Sequence, residues 1–234
     1  TMRRGHACGK AQSVADEMAL AGRMARQQLG HLRMNAYEKA RTLIDAAHAA
    51  DPERIDGDLP AELVYADRVE AWVKRLDPAA SEVLKLAARC QHLERWSVPR
   101  DDFPKDRPGY LKWRSTLYQK QADRACELLV QAGVSGEEAE DARKWVSKTG
   151  LKTDPGTQLL EDAAVLVFLE HEIADFASRH PDYTREKFLG ILGKTWRKIS
   201  PAARDAATNL PLPPLVRELL GEIAALEGGG GDSA

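Results

Sequence analysis

The run QLLEDAAVLVFLEHEIADFASRH, residues 158–180, constrains this chain more than any other stretch. Leu159, Leu160, Ala163, Leu166, Val167, Phe168 and Leu169 fall on more than one face of a helix. A helix apolar nearly all round has to be wrapped by other elements, so a core with this helix at its centre is expected. Asp154-Pro155 opens it, aspartate as N-cap and proline at the first helical position.

The elements that would do the wrapping are also helical. Ala36, Ala40, Leu43, Ile44 and Ala47 form one apolar stripe that Asp51-Pro52 ends. Pro60 opens a second, through Leu63, Val64, Val69, Trp72, Val73 and Leu76, and Asp77-Pro78 reads as the cap of a third that runs through Val83, Leu84, Ala87, Cys90 and Leu93. Three prolines make residues 96–108 the longest internal loop. A run from Gly109 to Gly133 follows, then a short helix from the capping-box sequence Ser135-Gly136-Glu137-Glu138 to Gly150. Helices around 184–198, 201–208 and 213–227 complete the chain. No alternating strand pattern of useful length, repeat or heptad run is present. The fold class is all-α: one multi-helix domain over residues 35–227, preceded by an extended N-terminal segment, 1–34, and followed by the flexible tail 228–234.

A formal charge of −2 supplies no global field for nucleic acid or anionic lipid and argues against broad RNA affinity. Cys8, Cys90 and Cys126 share no metal-binding or disulfide spacing, and no apolar run approaches the roughly 18 residues of a membrane span. A cytoplasmic protein with no membrane partner is expected. Glycine-rich phosphate loops and nucleophile elbows are absent from the sequence.

Chemistry has two candidate homes. Glu161 and Asp162 sit on the apolar helix, where an ionised carboxylate needs a partner. One reading joins Asp162 to His92 and Glu161 around a divalent metal or the counter-cation of an anionic ligand; the other keeps both carboxylates structural, near a helix start. His171-Glu172-Ile173-Ala174-Asp175 has the one-turn spacing of a metal-binding helix, and equally that of a solvated ion pair. The second home is the loop and the helix after it. There Arg95, Arg100, Arg107 and Arg114, with Tyr110 and Trp113, suit a phosphate held by forked guanidinium contacts and a stacked base or sugar. Glu94, Asp101, Asp102 and Asp106 equally neutralise them in a salt-bridged loop.

The segments AARCQHLERWSVPRDDFPKDRPGYLKWR, LLEDAAVLVFLEHEIADF and TWRKIS resemble an uncharacterised family of helical proteins often labelled glutamyl-tRNA synthetase, over roughly residues 35–221. The nucleotide-binding sheet and signature motif of that synthetase class are absent. More distantly the chain resembles the HD superfamily of metal-dependent phosphohydrolases, which implies an HD-like helical bundle and a ligand set of histidines and aspartates. Tyr65 stands at the first histidine position, Gln91-His92 at the His-Asp pair and Asp162 at the last aspartate. The resemblance implies a hydrolase or binder of a small phosphorylated molecule, with His92 and Asp162 catalytic and His92, Glu161, Asp162 and His171 around a metal. The alternative is a non-catalytic helical protein-interaction module.

Overall fold

The structure, a computed structural model, describes residues 35–55 and 57–228. Residues 1–34, expected to form a disordered or extended segment, and the tail beyond Gly228 lie outside the described residues. Within them the chain is all-α, its helices being α1 (Ala36–Ala49), α2 (Ala61–Leu76), α3 (Glu82–Arg89), α4 (Arg107–Ala132), α5 (Gly136–Val146), α6 (Pro155–Val167), α7 (Ile173–Arg179), α8 (Arg185–Trp196), α9 (Pro201–Thr208) and α10 (Pro214–Gly228). A two-residue pair of antiparallel strands, β1 (Arg54–Ile55) and β2 (Leu59–Pro60), joins α1 to α2.

Helix α6 is the central element that its composition requires. Leu160, Ala163, Leu166 and Val167 are essentially inaccessible, and α2, α3, α5 and α9 pack against the helix. Most helix starts carry a side-chain cap that satisfies an otherwise orphaned amide: Asn35, Ser81, Asp106, Ser135, Asp154, Thr184 and Ser200 each accept from the third residue onward. Pro60 cannot cap α2, and buried Asp51 does so from outside, one oxygen accepting from the Glu62 amide and the other from Glu53, each at 2.9 Å. Asp51 therefore ends α1 and also starts α2.

Three local readings change. Asp77 lies at the C-terminus of α2, and Ser81 caps α3. Helix α3 stops at Arg89, because His92 and Glu94 are both left-handed, at φ 60° and 50°. The proline-rich loop holds two 3₁₀ turns, Arg95–Ser97 and Arg100–Asp102, and α4 begins at Arg107 rather than at Gly109.

The ends of α1, α2 and α3 meet at Arg89, whose guanidinium is nearly inaccessible. It donates to Asp45, to Asp67 at 2.6 Å and to Glu70 at 3.0 Å, while Arg41 and Lys74 close on Glu70 from the other side. Buried His48 contacts the Arg89 carbonyl through Nε2 at 2.9 Å, which fixes the same corner from below. Burial pushes the Glu70 carboxyl up, but the hydrogen bonds from Arg41 and Lys74 outweigh it and hold the group at about 2. A depressed carboxylate stabilises the fold above its unfolded pKa and loses that contribution as pH falls through the folded one. Acid unfolding should therefore draw on Glu70 between about pH 5 and pH 2, and Glu70→Gln should flatten the stability profile in that window. Arg89→Met should cost about 3 kcal/mol in urea unfolding, the low end for a broken buried pair because Asp45 and Asp67 reach water.

Candidate functional site

The strained turn after α3 presents His92. Leu93, between the two left-handed residues, is buried, and the turn is tied by amide bonds from Leu93 to Cys90, Arg95 to His92 and Ser97 to Glu94. A non-glycine residue held left-handed costs about 1–3 kcal/mol, so the surrounding packing has to impose it. The imidazole is then held on three sides. Tyr65 stacks on it, ring centroids 4.0 Å apart and planes 7° from parallel. Glu62 lies 3.1 Å from Nδ1, and an Arg95 nitrogen 2.9 Å from Nε2. The same Arg95 nitrogen lies 3.4 Å from Nδ1 and so sits to the side of both ring nitrogens; the Glu62 carboxylate only accepts, so the ring proton is assigned to Nδ1, which donates to Glu62 and leaves the lone pair on Nε2. Burial lowers the pKa of His92, with Glu62 opposing and Arg95 and Lys148 adding to the fall. The ring is a neutral imidazole with an oriented lone pair.

A second group of charges lies beside it. Lys148, just past α5, is also left-handed at φ 62° and pairs with Glu161 on α6, which Lys198 approaches at 3.4 Å. Glu161 is 4% exposed, so neither oxygen has water as an alternative. Burial lowers the Lys148 ammonium; Glu161 resists, and the charges of Arg114 and Lys198 push the same way as burial. Lys148 stands 5.3 Å from the Tyr118 ring centre, and Arg114 donates to the hydroxyls of Tyr118 and, at 3.3 Å, Tyr110. The field of Lys148 reaches His92 and that of Glu161 reaches Tyr65, which makes the two groups one electrostatic site. Glu172, on the π-helical turn Phe168–Glu172 between α6 and α7, completes it, its carboxyl raised by burial and by Glu62, against Arg95.

The residues expected around a metal are dispersed among other duties. Asp162 accepts from the Ser200 amide at 2.9 Å and from the Gln158 side chain at 2.7 Å; it secures the start of α9. Glu161 is taken by two lysines, His92 by Glu62 and Arg95, and exposed His171 by Glu170 at 3.3 Å. His171, inside the π turn, contacts Glu170, and Asp175, on α7, contacts Arg179. Among the described residues no group of three or more His, Cys, Asp or Glu is placed to hold a metal ion, so the expected ligand set does not fit one.

Of the loop residues, Arg95 and Arg114 reach the site. Trp113 donates to the Val98 carbonyl at 2.9 Å and offers its face to Arg95, 5.3 Å from the ring centre, while Tyr110 meets Arg114. Arg100 is spent on the carbonyls of Phe103 and Pro104, and Arg107 is exposed at the start of α4. That loop lies so close to α4 that a Cβ on Gly109 would sit 2.2 Å from the Pro104 oxygen. The sequence reading missed Glu62, Tyr118, Lys148, Glu172 and Lys198 as site residues. Lys198 lies within the segment TWRKIS, but nothing in the sequence marks Lys148 as a lysine that will be left-handed.

A family model for a domain of unknown function, DUF4202, matches residues 38–220. No curated protein and no solved structure matches the chain. No helix among the described residues is long and apolar enough to cross a membrane.

Since Asp162 serves the fold, Asp162→Ala should strand the Ser200 amide, leave Gln158 with only the Lys198 carbonyl, and cost about 2–3 kcal/mol in thermal or urea unfolding. Phosphate affinity in the folded variant should be unchanged, and a lost affinity at full stability would return Asp162 to the site.

Proposed function

The chain belongs to the DUF4202 family, a domain of unknown function, and we propose that its cluster of basic side chains around Arg95, Arg114 and Lys148 binds a small phosphorylated molecule. One observation carries this reading. Arg95 and Arg114 are half-buried guanidinium groups that no carboxylate within ion-pair distance neutralises among the described residues; their partners are the His92 ring and the hydroxyls of Tyr110 and Tyr118. The other arginines around the core, Arg41, Arg89, Arg124 and Arg143, each have a carboxylate. Burying positive charge next to positive charge is unfavourable unless an anion compensates it.

A phosphate offers that compensation. Its oxygens match the guanidinium fork, and its charge would relieve the repulsion among Arg114, Lys148 and Lys198. Phosphate hydrolysis, implied by the resemblance to the HD superfamily, fits the same cluster; no step through a metal follows from the side chains that form it.

Inorganic phosphate and pyrophosphate should raise the melting temperature of the protein, and calorimetry should give a binding constant that weakens with salt. Arg114→Gln and Arg95→Gln should each weaken binding about 10- to 100-fold, the loss expected for a charge-assisted hydrogen bond of about 1.5–3 kcal/mol. Arg107→Gln, remote from the cluster, should leave it within error. No binding to the wild-type protein would favour the interaction-module reading.

A further inference from the structure

We propose, resting on the phosphate-binding reading above, that His92 Nε2 is a phosphoryl acceptor and that Glu62 holds and balances its ring. Binding alone explains Arg95 and Arg114. It does not explain a neutral imidazole fixed in one tautomer at the centre of the cationic cluster.

The geometry supplies each part. Glu62 accepts the Nδ1 proton at 3.1 Å, so the lone pair sits on Nε2. Tyr65 fixes the plane of the ring, and the left-handed backbone at φ 60° fixes its position on the turn. The His92 side chain is 27% exposed, so an edge of the ring is open to a ligand. Arg95 now covers Nε2, and a phosphoryl oxygen, a stronger acceptor for a guanidinium than a neutral ring nitrogen, would draw it off and bare the lone pair. Lys148 raises the positive potential at His92.

In the first step the Nε2 lone pair attacks phosphorus. The N–P bond forms, the P–O ester bond breaks, and the leaving oxygen takes a proton from solvent. The imidazole, with Nδ1–H and Nε2–P, then carries a positive charge that faces the Glu62 carboxylate. In the second step a water oxygen attacks phosphorus and its proton returns to solvent. The N–P bond breaks and its electron pair returns to Nε2. The sum is a phosphomonoester and water giving an alcohol and inorganic phosphate, with the protein restored.

The test uses the full chain with phosphoramidate as a small phosphoryl donor and para-nitrophenyl phosphate as a monoester. Intact mass and peptide mapping should find one phosphoryl group on His92, lost in mild acid and stable in base, as an N–P bond requires. Asparagine tolerates the left-handed conformation, so His92→Asn should keep the fold while abolishing the label. Glu62→Gln should slow labelling by at least about 100-fold, because it sets the tautomer. Phosphate affinity should be unchanged in Glu62→Gln, whereas a merely structural role would lower affinity and labelling together. If phosphate binds but His92 stays unlabelled, or if His92→Asn turns over para-nitrophenyl phosphate as the wild type does, the proposal is overturned and the binding reading stands. If phosphate does not bind at all, both fall.

Discussion

A carboxylate buried on a central helix has to be met by cations wherever the chain can provide them. Glu161 is that carboxylate, at 4% exposure on α6, the helix that α2, α3, α5 and α9 enclose. Its two partners come from different places, Lys148 from the turn after α5 and Lys198 from the turn before α9. Meeting it holds Lys148 in a left-handed backbone, and that residue then crowds against the charge of Arg114. The cationic cluster is thus a consequence of the core: one buried negative charge draws two lysines to it from separate turns.

The neighbouring Asp162 shows how differently two adjacent acids can serve. Glu161 faces the lysines, and Asp162 faces the start of α9, where the Ser200 amide and the Gln158 side chain satisfy it. Burial demands a partner of both and does not decide which one. A protein amide completes a fold, whereas a lysine shared between a carboxylate and an open pocket leaves chemistry to be done.

Much of the architecture was legible from residue pattern alone. The central place of the 158–180 run followed from its apolar residues on several faces, and the caps at Ser135 and Asp154 from local sequence. Helix periodicity reports burial, however, and burial alone does not locate a bend. The end of α3 depends on two non-glycine residues forced left-handed by the tight packing of Leu93 and Cys90, so a periodic apolar series through Leu93 read as helix. The site suffered most from this. Arg95 and Arg114 were visible as arginines near aromatic residues, but Glu62, Lys148 and Glu172 reach the same pocket through long-range packing that no spacing encodes.

The π turn at Phe168–Glu172 is the clearest case, because it changes what every later residue on that run can do. One extra residue in a helical turn rotates the positions after it by about 100° relative to a regular helix. Ile173 is thereby buried at 2% exposure, and Glu172 is left partly exposed beside Tyr65 and Glu62. In an uninterrupted helix Glu172, eleven residues after Glu161, would lie within about 20° of it and would add a second carboxylate to the face that the lysines already serve. The π turn separates the two acids. It leaves Glu161 ionised between lysines and puts Glu172 where burial and Glu62 favour its protonated form. Two carboxyl groups on one helix, one held as an anion and the other biased toward its acid, form a division of labour that a regular helix would not give.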